Sequence, residues 1–357
     1  MNKFMASTSV LTEDFENLLN SELDISRLKN KSLVITGATG LIGSLLVRFL
    51  LYANRKRKLN LTVYALVRNE AKAHNLYGSL LNDESLQLVV HDLKTAAAVN
   101  IEDRVDFIIH AAAVTASKVM VQDPVGTFEV ALKGTKKMLE LARQKKARMV
   151  YISSMEIYGQ PKNTTNTTEE DLGFIDLTNP RSCYPEGKRA CECLCTGYSA
   201  QYQVEVVSAR LAQTFGAGVL PSENRVFAQF ARSALKHEDL ILHTQGLSEG
   251  NYVYTADAVK AILMLLYLGQ PGQAYNVANE HSHLTIKAMA ELVAQVLSEG
   301  QSQVVIDVPQ NSASLGYAPD VKMKLNSKKL QCLGWKPTVA LPEAYLKLAQ
   351  WFEEIKA

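Results

Sequence analysis

The chain has 357 residues, 47% hydrophobic and 21% charged, enough to bury a large core as one α/β domain or two lobes. Its 38 Lys and Arg nearly cancel its 36 Asp and Glu, so a net charge of +2 gives no attraction to nucleic acid or an anionic membrane. Five cysteines, an odd number in a long chain, do not make a disulfide framework, and no apolar run approaches the roughly 18 residues of a membrane span.

The N-terminal stretch MNKFMASTSVLTEDFEN lacks the apolar segment of a secretory signal. A cytoplasmic protein is therefore expected, and the sequons at Asn60, Asn163 and Asn166 carry no weight. Residues 1–30 read as a helical extension ending in SELDISRLKNK. An apolar run of strand length, Leu33–Thr36, then enters a glycine turn, after which Leu41, Ile42, Leu45, Leu46, Phe49 and Leu50 recur with helical period. The basic cluster Arg55-Lys56-Arg57-Lys58 reads as a solvated connection. The strand-like runs LTVYALV, LQLVV, VDFIIHAA, RMVYISS and VEVVSAR follow, separated by helical stretches such as GTKKMLELARQKK. Strands alternating with helices predict a parallel sheet, and continuously apolar strands predict that both its faces are covered.

The expected fold is thus α/β, a Rossmann-type doubly wound parallel sheet with a smaller C-terminal substrate lobe. Residues 31–180 form the dinucleotide-binding part. Residues 181–357 form mainly the substrate lobe, with some strands returning to the sheet. In this second half, LTIKAMAELVAQVLSEG and LPEAYLKLAQWFEEIK read as helices, and just before it KNTTNTTEEDLGFIDLTNPRS reads as a loop near the active site. Cys191, Cys193 and Cys195 alternate within a helix. Residues two apart point in different directions, so they suit buried small hydrophobes better than a metal site, and no metal is expected.

Gly37, Gly40 and Gly43 lie at a strand-to-helix junction, the context in which a glycine motif is informative. There, backbone N–H groups reach a pyrophosphate, the helix N-terminus adds partial positive charge, and the last glycine lets helix and sheet pack closely. The cofactor-binding set expected from this end of the chain is Gly37, Thr39, Gly40, Leu41, Ile42 and Gly43, with Asp92 and Leu93 beside the adenine. Ala111, Ala112 and Ala113, after His110, leave room for the cofactor backbone. The cofactor is NAD or NADP. Arg68, ending the second strand where an acidic residue usually holds the ribose, leans to NADP.

Strand VYISS ends at Ser154 and is followed by Met155, Glu156 and, about thirty residues on, Tyr184-Pro-Glu-Gly-Lys188. A spacing of four stacks Tyr184 and Lys188 on one helix face, where an ammonium lowers a phenol's pKa toward that of a usable base. Ser154 can bond the same substrate hydroxyl.

From Lys31 to the C-terminus the chain resembles the extended short-chain dehydrogenase/reductase family, the NAD-dependent epimerases and dehydratases that modify nucleotide sugars. GATGLIG, HAAA, ISSMEIYG, YPEGK, RLAQTFG, YVYTADAV, YNVANE and LGWKP stand in that family's order. CYPEGKR and RLAQTFG look most like the nucleotide-sugar decarboxylase and 4,6-dehydratase branches. The resemblance implies catalytic roles for Ser154, Tyr184 and Lys188, with the last two also touching the cofactor. It implies a base or positioning role for Glu156, and substrate contact for Gln213 and Arg225. It also implies a homodimer and transient oxidation at the sugar C4, followed by dehydration, decarboxylation or epimerisation.

Three positions depart from the pattern. Gly250 stands where an Arg usually contacts the substrate pyrophosphate, no second Arg occurs in SLGYAPDVKMK, and Ala131 replaces a usual Asn. Lys322, Lys324 or Lys328 could serve as point charges instead. Met155 also stands where many dehydratases carry an acid. Two other readings stay open: an NADPH-dependent reductase of a small carbonyl compound, and a non-catalytic NAD(P)-binding protein. A third question is whether Glu156 only bonds its own turn.

Overall fold

A computed structural model describes residues 8–95, 97–308 and 320–356. Residues 1–7 of the N-terminal extension, and most of SLGYAPDVKMK, lie outside the described residues.

Seven strands form one sheet in the order Ala274–Val277, Val206–Leu211, Arg148–Ser154, Phe107–His110, Ser32–Thr36, Thr62–Val67, Leu86–Val90, and every pairing is parallel. Ser32–Thr36 and Val206–Leu211 are buried along their whole length, because helices cover the sheet on both sides. This is the doubly wound Rossmann arrangement. The strand order reverses between Ser32–Thr36 and Phe107–His110, so a crevice opens above their carboxyl ends. Ala274–Val277, which lacks a long apolar run, was not foreseen as a strand.

Helix Leu41–Arg57 follows the first strand, and its own last turn contains Arg55, Lys56 and Arg57. The basic cluster is therefore a helix end rather than a connection, where cations face the negative end of the helix dipole. Lys56 pairs with Glu16, and Arg57 donates to the Leu19 carbonyl. Helix Pro124–Lys145 starts on a proline, with Asp123 accepting from the Gly126 N–H. It lies against helix Cys183–Tyr202, and an ideal Cβ on Gly187 would sit 3.5 Å from Ala131 Cβ. The small side chains at both places let these helices come close beside Lys188. On the second helix Cys191 and Cys195 are buried, but Cys193 is exposed, so only two of the three act as core hydrophobes.

Beyond the sheet, Gln213–Phe215 pairs with Tyr252–Tyr254, and Glu249–Gly250 pairs with Leu284–Thr285. The N-terminal helix Ser9–Leu19 packs Phe15 on Phe49 and Tyr52, each at 5.6 Å between ring centroids. Its buried Asp14 faces the other way, accepting from Tyr254 Oη at 2.7 Å and from Lys347 Nζ at 3.1 Å on the C-terminal helix Leu341–Lys356.

Candidate active site

At the crevice, Gly37 turns with φ of +63°, and a Cβ there would lie 2.7 Å from the Ala111 carbonyl oxygen. A Cβ on Gly43 would lie 2.3 Å from the Gly37 oxygen. Neither position tolerates a side chain without moving backbone. Gly40 caps the seventeen-residue helix, and among the described residues no side chain caps its first N–H groups. Those donors, the small Ala111–Ala113 segment and the helix dipole make a cradle that fits a dinucleotide pyrophosphate. Thr39, Leu41 and Ile42 line it, partly exposed. Arg68 follows Thr62–Val67 and is exposed. Asp92 accepts from the Lys94 N–H at 2.9 Å, and buried Leu93 packs under Gly134.

Below the cradle the Ala112 N–H donates to Thr36 Oγ1 at 3.1 Å, which lies 2.7 Å from His110 Nδ1. His110 Nε2 lies 3.2 Å from Thr135 Oγ1, which donates to Cys191 Sγ. Burial, then Lys188, lowers the imidazole to about 3, so it is neutral and holds the cofactor-facing loop by a chain of fixed direction.

Ser154 ends Arg148–Ser154 and caps a single 3-10 turn, Met155–Tyr158, accepting from the Glu156 N–H at 3.2 Å. Tyr184 is the second residue of helix Cys183–Tyr202 and Lys188 lies one turn on. Lys188 is buried and donates to the Ile152 carbonyl at 2.6 Å, with its ammonium 4.8 Å from the Tyr151 ring centre and 5.9 Å from that of Tyr184. Burial brings it down to about 8.

The lowered phenol expected from Lys188 is not what this structure contains. Burial pushes Tyr184 up to about 12 and Glu156 adds to the rise, while Ser154, Arg225 and Arg181 pull it back. The Lys188 charge is directed at a backbone carbonyl instead.

Sequence reasoning missed Arg181. In the turn Pro180–Ser182, held by the Asn179 side chain, Arg181 grips Glu156 with a two-pronged fork: Nη1 to Oε2 at 2.7 Å and Nη2 to Oε1 at 3.1 Å. Glu156 therefore does not bond its own turn through its carboxylate. The only signal in the sequence was an Arg three residues before Tyr184, at the end of the loop over residues 159–180.

Of the two substrate residues, Arg225 is near enough to Tyr184 to act on its phenol, pairs with Glu223 at 2.8 Å and lies 5.0 Å from the Phe227 ring centre. Gln213 starts the strand beside Tyr252, its side chain partly exposed and without a hydrogen bond among the described residues. Gly250 is buried, and a Cβ there would lie 3.3 Å from Met155 Cε. A side chain at 250 would have to push the Met155 methyl aside by a few tenths of an ångström. Lys322, Lys324 and Lys328 are exposed. Val321, next to Lys322, bonds Ser248 and Glu249, so Lys322 sits beside the Gly250 strand.

Among the described residues no group of His, Cys, Asp or Glu could hold a metal, and no helix is long and apolar enough to cross a membrane.

Known proteins agree with this architecture. UDP-glucuronic acid decarboxylase 1 of Xenopus tropicalis is 28% identical over 330 residues, covering 92% of this chain and 74% of its own. UDP-glucuronic acid decarboxylase 6 of Arabidopsis thaliana is 29% identical over 315 residues, covering 88% and 86%. Among solved structures, dTDP-glucose 4,6-dehydratase from Streptomyces venezuelae, with NAD bound, superposes with a TM-score of 0.74 at 24% identity over 90% of this chain and 97% of that one. An epimerase from Methanothermobacter thermautotrophicus superposes with a TM-score of 0.76 at 22% identity over 97% and 96%. The family model "NAD dependent epimerase/dehydratase family" matches residues 33–278, and the chain belongs to that family.

Proposed function

We propose that the chain acts on a nucleotide sugar, withdrawing hydrogen from the C4 carbinol, reacting the resulting ketone, and restoring the hydrogen within one catalytic cycle. The observation that carries this reading is the convergence of Ser154, Tyr184 and the Glu156–Arg181 fork beside a glycine cradle. The bound nicotinamide supplies hydride acceptance and return. Tyr184, once ionised, takes the C4 hydroxyl proton, and Ser154, whose lone pair is engaged by the Glu156 N–H, donates a hydrogen bond to the same oxygen. Lys188 provides the buried positive charge behind them. In this reading Glu156, partly exposed and paired with Arg181, removes the C5 proton once C4 is a ketone.

Exposed Arg68 favours a 2′-phosphate and so NADP. Gln213 and Arg225 meet the substrate, with Lys322 as a point charge for its phosphates, and the working form is a homodimer. Met155 packs against Gly250, so these two positions carry neither the acid nor the guanidinium that the resemblance leads one to expect there, which weighs against loss of a C6 hydroxyl. The same missing cation favours, as second reading, a reductase of a small carbonyl compound.

Tyr184→Phe decides whether the residue set works as proposed. With UDP-glucuronate, UDP-glucose and dTDP-glucose as trial substrates, turnover is expected to fall by about 10³-fold or more. Turnover that persists removes Tyr184 from the chemistry. Stoichiometric loss of reduced-nicotinamide absorbance establishes the reductase instead.

A further inference from the structure

We propose that Arg181 is a positioning residue that couples the Glu156 carboxylate to the Tyr184 phenol, holding the carboxylate in plane and cancelling its field at the phenol. The inference deepens the proposed function and rests on it for the role of Glu156.

The geometry places the three groups on two short segments that must stay in register. Glu156 lies two residues after Ser154, in a turn that Ser154 itself caps. Arg181 lies three residues before Tyr184, in the turn that leads into the Tyr184 helix. The fork of 2.7 and 3.1 Å is the direct tie between them, with Arg181 13% and Glu156 28% exposed at their side chains. A planar guanidinium fixes both oxygens of a carboxylate, which an ammonium cannot do. Arg181 Nε is buried without a partner among the described residues, so the fork is the guanidinium's bonding.

The charge consequence follows from Coulomb's law. An anion near a phenol opposes its ionisation, a cation favours it, and each effect grows as water is excluded. Around Tyr184 the charged and titratable groups are Glu156, Arg181, Arg225, Lys188, Tyr151 and Cys183, with Glu223 behind Arg225. Glu156 raises the phenol, whereas Arg181 and Arg225 lower it. Removing Arg181 deletes a favourable charge and frees an opposing one. Removing Glu156 does the reverse. Losing both leaves the phenol close to where it began.

The test reads Tyr184 directly, without a sugar substrate. The NAD⁺ complex is titrated with pH while tyrosinate absorbance is recorded, with Tyr184→Phe as the blank. Arg181→Met is expected to raise the midpoint by about one pH unit, and Glu156→Gln to lower it by a similar amount. The double variant is expected to return near the wild-type midpoint, and Arg181→Lys, which keeps the charge and loses the fork, to stay near it. A purely structural Arg181 moves the melting temperature and NAD⁺ affinity and leaves the midpoint alone. Unmoved midpoints in both Arg181→Met and Glu156→Gln overturn the proposal. If Arg181→Met does not fold, Arg181→Lys and Glu156→Gln decide it. The base role of Glu156 is judged separately, by C5 hydrogen exchange, so either idea can fail alone.

Discussion

Lys188 is a buried ammonium whose pKa is brought down to about 8 from an ordinary 10.5, chiefly by loss of water. Below pH 8 it is charged in both folded and unfolded chains, and the folded chain bears the full desolvation cost. Between 8 and 10.5 the folded chain releases the proton first, so stability rises with pH, and above 10.5 the two states match. Lys188→Met is therefore expected to be inactive yet more stable at pH 7, by on the order of 3 kcal/mol. The gain is expected to fade as pH climbs toward 10.5. Urea titrations across that range check it, and a gain that does not change with pH contradicts it. At this scale Ser154, Tyr184 and Lys188 could be singled out in the sequence as candidates, because a strand end and an i, i+4 pair are local patterns. Arg181 was hidden because its partner is 25 residues away, and arginines in polar loops are common.

The strongly patterned elements are legible in the sequence. Helix Leu41–Arg57 shows apolar residues at helical spacing, and strand Arg148–Ser154 is a short apolar run of strand length rich in β-formers. Ala274–Val277 could not be read that way. It holds Asn276, fully buried, whose amide accepts from Tyr158 Oη at 2.6 Å and donates to the Asn326 carbonyl at 2.9 Å. A polar residue in a sheet strand is explained by these distant partners, which no local window contains. The N-terminal helix Ser9–Leu19 was foreseen as helical, but its docking depends on residues far along the chain. Asp14 lies buried between Tyr254 and Lys347, and burial raises its carboxyl despite both partners. Among the described residues, Asp14→Ala leaves Lys347 with only the exposed Glu13, at 2.8 Å, and is expected to cost about 3 kcal/mol. The double variant with Lys347→Met is expected to recover most of that. Denaturation of both variants measures it, and additive losses would show that the two groups do not act as a pair.

Across the whole molecule, the site stands where two kinds of order meet. The sheet's switch point supplies the cradle, and the turns at Ser154 and Pro180 carry the groups proposed to react. Behind them Arg210 grips Glu192, on the Tyr184 helix, and donates to Tyr158 at 2.9 Å and to the Glu169 carbonyl at 2.6 Å. That network ties the loop over residues 159–180 to the sheet edge and sets the base on which the Glu156–Arg181 fork stands. The class of chemistry was legible from motif order. The branch was not, because it depends on side chains such as Met155 and Arg181 meeting partners in other segments.

The central claim is transient oxidation at C4 with Glu156 working at C5. Its most direct measurement is mass spectrometry of UDP-glucuronate, UDP-glucose and dTDP-glucose incubated with the NAD⁺- or NADP⁺-loaded enzyme in D₂O, for wild type and Glu156→Gln. The account predicts deuterium at C5 of a recovered or converted nucleotide sugar without net cofactor reduction, and at least a 10²-fold slower uptake in the variant. Wild-type rates of deuterium uptake in Glu156→Gln, or conversion that consumes reduced cofactor one for one with no deuterium at C5, would contradict it.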